Sequence, residues 1–393
     1  VLNSSNSVSV GTMGQNPNII SNNAGHGVEV LNSTSSIVIN NHIGTSVDGN
    51  TAHENLSNGI HVGSGNTSID INDNNISGNN LDGILVDAVV GGTNIIQNNR
   101  IGLKEDGSGT LKNGVLGTSG FDNGIHLLNS GTKFTINANE VTGHDGNQIR
   151  LDGSNNHDVT SNFLGTNASS ATGLGGTGDV ILLTNGSDTV TITGNDLVGS
   201  SAGSGIHLDA SGTNTTVTIA SNNIGLSSTL SNAGEGIKID DASAVTIGGV
   251  GLGNTIAFNT LNGVSAKDVA TLTIAANTIN ENTEDGINLE TGNTNVNVNL
   301  VNTIFGNKNG INVTANLGGT SAIDGNLIGA MTTPNSLNGV VVSGQTTALT
   351  ISGNTIINHT TESGVLLDAS NEVTILGNII GTDAAASTTN QGN

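Results

Sequence analysis

The chain has 393 residues, a formal charge of −23 and only 8 Lys and Arg, so it lacks the clustered basic groups that nucleic acid requires. It holds no Cys, Trp or Tyr and 5 Phe beside 58 Gly, which excludes a disulfide framework and zinc–thiolate sites and leaves Ile, Val and Leu to fill a narrow interior. No apolar run reaches the length of a membrane span, and an acidic skin suits a protein bathed in salt or divalent cations.

Val1-Leu2-Asn3-Ser4 matches Val30-Leu31-Asn32-Ser33, so the chain is read as opening where a first strand ends. From there one unit repeats. Its first strand is Gly followed by apolar-x-apolar, as in Gly27-Val28, Gly59-Ile60, Gly205-Ile206, Gly286-Ile287 and Gly364-Val365; Gln148-Ile149 and Asp179-Val180 are read as copies without the Gly. The spacing is 23 to 32 residues, with one of 41. A unit so short holds no core of its own and must stack on its neighbours.

The second strand alternates apolar residues with Thr, as in Phe134-Thr135-Ile136, Val190-Thr191-Ile192, Val217-Thr218-Ile219 and Leu349-Thr350-Ile351. Period-two alternation turns the apolar pair inward and Thr outward. The third strand follows an Asn, at Asn74, Asn99, Asn222, Asn277, Asn354 and Asn378. Asn tolerates turn conformations, and stacked copies can bond as an amide ladder along the axis. These six are therefore expected to be structural.

Three short strands per turn, each paired in parallel with its copy one coil away, make an all-β parallel β-helix, or β-solenoid. The expectation is one continuous solenoid over 1–393, with about fourteen coils, a length of about 65 Å at strand spacing, and no separate globular domain. A second period of Ile-Gly, at Ile43, Ile101, Ile224, Ile328 and Ile380, marks long coils with polar excursions such as Lys104 to Asn113.

Ile380-Gly381-Thr382-Asp383-Ala384, Val245-Thr246-Ile247-Gly248-Gly249 and Asn254-Thr255-Ile256-Ala257-Phe258-Asn259 resemble the right-handed parallel β-helix repeats of large secreted and surface-attached bacterial proteins, similar in fold to the pectate-lyase superfamily. The resemblance covers essentially the whole chain and implies a right-handed coil. It leaves the activity open, because this scaffold serves lyases, hydrolases, adhesins and passive stalks alike.

If the chain carries chemistry, the outward face of the first strand is where it would sit. One column there includes Glu29, His61, Leu85, His126, Arg150, Ile181, His207 and Lys238; a second holds Asp87, Asp152, Asp209, Asp240, Glu290 and Asp368, with Asp241 adjacent. If the protein is a polysaccharide enzyme, His207, Asp209, Lys238 and Asp240 are its candidate catalytic residues, since neighbouring carboxylates can divide acid and base roles. Asp209, Asp240 and Asp241 are a candidate Ca²⁺ site. The simpler reading is cross-strand ion pairing on a solvated face, with no cofactor. The other histidines (His26, His42, His53, His144, His157, His359) show no ligand spacing. Thr135, Thr191, Thr218, Thr273, Thr350 and Thr374 share one outward slot that Asp70 and Asp158 interrupt, with no second row, which is weak ground for ice or mineral binding.

The expected role is a non-catalytic, extracellular or cell-surface solenoid: a stalk, an adhesin segment or a filament subunit. Thr389-Asn390-Gln391-Gly392-Asn393 stops where another strand is due, and neither end carries a cap. The expected partner is accordingly itself, stacked head to tail, or adjoining solenoid in a longer chain. Carbohydrate is the second candidate partner; nucleic acid and membrane insertion are not expected.

Overall fold

The computed structural model describes residues 1–88, 90–115, 122–169, 173–330, 332–359 and 362–381. Thr382-Asp383-Ala384 and Thr389 to Asn393 lie outside the described residues. Among the described residues there are 42 strands and no helix, hence no helix long and apolar enough to cross a membrane. The fold is a right-handed parallel β-solenoid of about fourteen coils. It divides into two compact units, Val1–Gly203 and Ser204–Asn393. Each contains seven coils of three strands, and within each unit the strands pair in parallel with their counterparts in the next coil.

The coil beginning at Gly205 shows how sequence makes this shape. Its strands are Ile206–Leu208, Asn214–Ala220 and Asn223–Ile224. Ile206, Leu208, Val217, Ile219 and Ile224 all point inward and are buried. Burying such a side chain contributes about 1.5–3 kcal/mol, but only a neighbouring coil can cover it. The Gly at the head of each first strand is fixed by crowding rather than by φ. A Cβ on Gly286 would lie 2.6 Å from Ile304 Cγ2 and 2.7 Å from the carbonyl of Gly310 in the next coil.

Buried polar side chains tie the coils at the corners. Asn277 Nδ2 donates to Asn302 Oδ1 at 3.0 Å and to the Ile247 carbonyl at 2.9 Å. The Asn254 side chain in turn donates to Asn277 Oδ1 at 2.9 Å. The same ladder includes Asn74, Asn99, Asn139 and Asn162 in the first unit and Asn222, Asn326, Asn354 and Asn378 in the second. A second ladder runs through Asn55, Asn79 and Asn113 in the first unit and Asn259, Asn282 and Asn307 in the second. Each amide both donates and accepts, so a buried polar group is stabilising here rather than costly.

Three features differ from the sequence reading. Ile149 pairs with Ile181 and Arg150 with Leu182, so Ile181 is a core residue and Leu182 is the outward one. The run Val180-Ile181-Leu182-Leu183 is apolar throughout and carries no alternation of its own, so the neighbouring coils set its phase. Leu2, not Val1, pairs with Val30; Val1 is exposed. A second Thr row exists on the third strands, where Thr255, Thr278 and Thr303 are in register. Strands of two or three residues show no periodicity by which that row could be read.

Candidate functional site

The first-strand face of the second unit brings the expected quartet together. Adjacent parallel strands place His207 beside Lys238. Asp240, two residues after Lys238, then falls on the same face. His207 Nε2 lies 2.9 Å and Lys238 Nζ 2.8 Å from the same oxygen, Asp240 Oδ2. Lys238 Nζ is also 3.5 Å from His207 Nε2. Partial burial raises the pKa of Asp240, but the hydrogen bonds and charges of Lys238 and His207 outweigh it and hold the carboxyl below its ordinary value. Asp209 has a donor atom within 4.8 Å of His207 and Asp240. Asp241 stands apart from this set and accepts a hydrogen bond from Thr213 at 3.0 Å.

The first unit carries a related face. His61 lies between carboxylates of the coils before and after it, with Nδ1 3.4 Å from Glu29 and Nε2 3.1 Å from Asp87. The ring of His26 stacks on that of His61, centroids 4.5 Å apart. His26, Glu29 and His61 form the other set whose donor atoms lie within 4.8 Å of one another. Sequence spacing missed His26, which precedes the strand and reaches the face only through a turn. Further along, buried His126 lies 3.3 Å from Asp82, and Arg150 donates to Asp152 at 2.8 Å. Asp82 also accepts from the amide side chain of Asn123 at 2.9 Å, so a carboxylate takes the place of an Asn in a corner ladder.

Three other histidines are structural. His144 Nε2 accepts from Asn113 Nδ2 at 3.1 Å while Nδ1 faces Gln148 Oε1 at 3.0 Å, so a neutral ring continues the second Asn ladder. His157 accepts the backbone N–H of Phe134 at 3.1 Å and faces the Ser130 carbonyl at 3.2 Å. Burial lowers the pKa of both to about 4. His359, also buried, is lowered to about 4 by the same cause, opposed by a hydrogen bond with Ile328.

A groove of about 290 Å³ lies elsewhere, on the third-strand side of the first unit. Asn75, Arg100, Glu105 and Glu140 line it; Arg100 Nε donates to Glu140 at 3.0 Å and Asn75 to Glu105 at 2.9 Å. The excursion after Ile101 supplies Glu105 and so forms one wall. Neither His207 nor His61 lines this groove.

Residues 220–380 match the family description "right handed beta helix region". The likeness to right-handed parallel β-helix proteins read from the repeats therefore holds, and a parallel β-helix protein is what the fold defines. No curated protein matches the sequence. Solved structures similar to the chain include a mutant of the periplasmic alginate epimerase AlgG, at 13% identity and a TM-score of 0.45, covering 88% of this chain and 77% of that one. The Dettilon tailspike protein gp208 is 13% identical with a TM-score of 0.39, over 90% of this chain and 61% of that one. The A-module of the Azotobacter vinelandii mannuronan C-5 epimerase AlgE4 is 12% identical with a TM-score of 0.32, over 90% and 91%.

Proposed function

We propose that the protein is a non-catalytic structural solenoid working outside the cell, as a stalk, an adhesin segment or a filament subunit. One observation carries this reading: on the His207 face the carboxylate that could do chemistry is held by its neighbours. Asp240 is shared by His207 and Lys238 through a single oxygen, and the described groove of about 290 Å³ is lined by other residues. Acid–base cleavage of a glycosidic bond needs one carboxyl free to donate and a cleft that holds the sugar against it. The acidic exterior favours a hydrated, salt-bathed setting.

Stacking is part of the same proposal. Parallel strand edges are a template for further strands, so the proposed partner is more solenoid, from the same chain or from a second copy.

Purified protein incubated with a panel of acidic and neutral polysaccharides tests the reading. The expected result is no new reducing or unsaturated ends, with end-to-end fibres visible by electron microscopy at high concentration. Saccharide cleavage that disappears in Asp209→Asn or Asp240→Asn would overturn it. Carbohydrate binding without cleavage has one feature in its favour, the groove around Arg100, whose amide and charged lining suits hydroxyl groups. An Arg100→Ala variant that alone loses polysaccharide retention would support that second reading.

A further inference from the structure

The two histidine faces are built on the same His–Asp pair but differ in what stands beside it. Relative to His207, Lys238 is the neighbour in the next coil. Relative to His61, the same place is taken by Leu85. Asp87 follows Leu85 by two residues, as Asp240 follows Lys238. The second unit thus carries its own cation between imidazole and carboxylate. The first unit has only an apolar, buried side chain at that position.

This leaves an unbalanced set of donors around His61. With Nε2–H donating to Asp87 at 3.1 Å, the Nδ1 lone pair faces the Glu29 carboxylate at 3.4 Å. Two acceptors then oppose each other unless a proton or a metal ion lies between them. A proton there would lie between His61 and Glu29 and leave Nδ1 of the stacked His26 ring without a hydrogen-bond partner. The Nδ1 atoms of both His26 and His61 are buried and have no hydrogen-bond partner. His26, Glu29 and His61 each offer one ligand atom within 4.8 Å of the others, and the stacked rings would have to splay for these atoms to converge on a tetrahedral cation with bonds near 2.0–2.2 Å.

We propose that His26, Glu29 and His61 bind one divalent transition-metal ion of the Zn²⁺ or Co²⁺ type, with Asp87 orienting the His61 ring from behind. Two imidazoles and one carboxylate select borderline ions over Ca²⁺ or Mg²⁺, which take oxygen ligands. The carboxylate–histidine–metal arrangement fixes the tautomer that leaves Nδ1 free to ligate. The ion would join the coil holding His26 and Glu29 to the one holding His61, on the side of His61 away from Leu85 and Asp87.

The test is titration of the full, metal-stripped chain with Co²⁺, followed by visible absorption, and with Zn²⁺ by calorimetry. One equivalent is expected, undisturbed by millimolar Ca²⁺. His61→Gln and Glu29→Gln should each weaken binding at least 100-fold with the circular-dichroism spectrum unchanged. Asp87→Asn should weaken it by about 10–100-fold. His126→Gln, on the same face two coils on, should leave it intact. Absence of binding, or binding that survives both His61→Gln and Glu29→Gln, would overturn the proposal.

Discussion

The faces around His61 and His207 share a His–Asp pair across adjacent coils and differ in the side chains around it. His61 and Asp87 stand 3.1 Å apart, His207 and Asp240 2.9 Å. Where Lys238 holds Asp240, Leu85 leaves His61 between two carboxylates. A repeat scaffold can therefore place the same pair of side chains in corresponding slots and give them different chemistry by changing one residue in the next coil. The Asn-to-Asn links at the corners obey one bonding rule in both units. Differences between the units should accordingly arise from their histidines, and the Asn ladders should respond alike.

The largest expected effect is of pH, and it falls more heavily on the first unit. His144 and His157 are both there, each with a folded pKa of about 4; the second unit has His359. In the unfolded chain these rings titrate near 6.5. Between pH 6.5 and 4 the unfolded state therefore binds more protons, so stability is full above 6.5 and falls as the pH drops. Each ring accounts for roughly 3 kcal/mol over that range. Hydrogen exchange at pH 7 and pH 4.5 should show the first unit losing protection ahead of the second. Equal loss in both would break the comparison.

Next in size is the ladder. Asn277→Ala removes the partner of Asn254 and Asn302 and strips a donor from the Ile247 carbonyl, all of them buried. Several unsatisfied groups at about 1–3 kcal/mol each give an expected loss of about 3–5 kcal/mol in denaturant unfolding. Asn74→Ala in the first unit should cost a similar amount, because it makes the same kind of bonds. The outward faces should matter far less. Asp240→Asn is expected to change stability by under about 1 kcal/mol, as is usual for partly exposed ion pairs. The contribution of Asp240 is present above the ordinary carboxylate pKa and is lost as pH falls through its lowered folded value.

Most of the fold was legible because a solenoid repeats its instructions. The Gly that heads a first strand, the apolar pair around Thr and the Asn at the corner each recur in step with the coil, and each answers to a steric or bonding demand of the coil above. Legibility failed where a segment lacked internal contrast, as at Val180 to Leu183, or was too short to show a period, as at Thr255, Thr278 and Thr303. The His207 quartet could be read because all its members lie on or beside regular strands. His26 could not, since a turn and not a strand carries it to His61. His144 and His157 looked scattered for a similar reason: His144 continues an Asn ladder and His157 bonds backbone groups of the preceding coil, roles set by bonding and not by spacing.

One substitution tests most directly whether a single neighbour decides the chemistry of these faces. Lys238→Leu gives His207 the kind of neighbour that His61 already has and leaves His207, Asp209 and Asp240 without the ammonium. Titrated with Co²⁺, the wild-type chain should take up one equivalent and the variant two. A variant that still binds one would show that Lys238 does not hold the place of an ion, and the contrast between the two faces would fall.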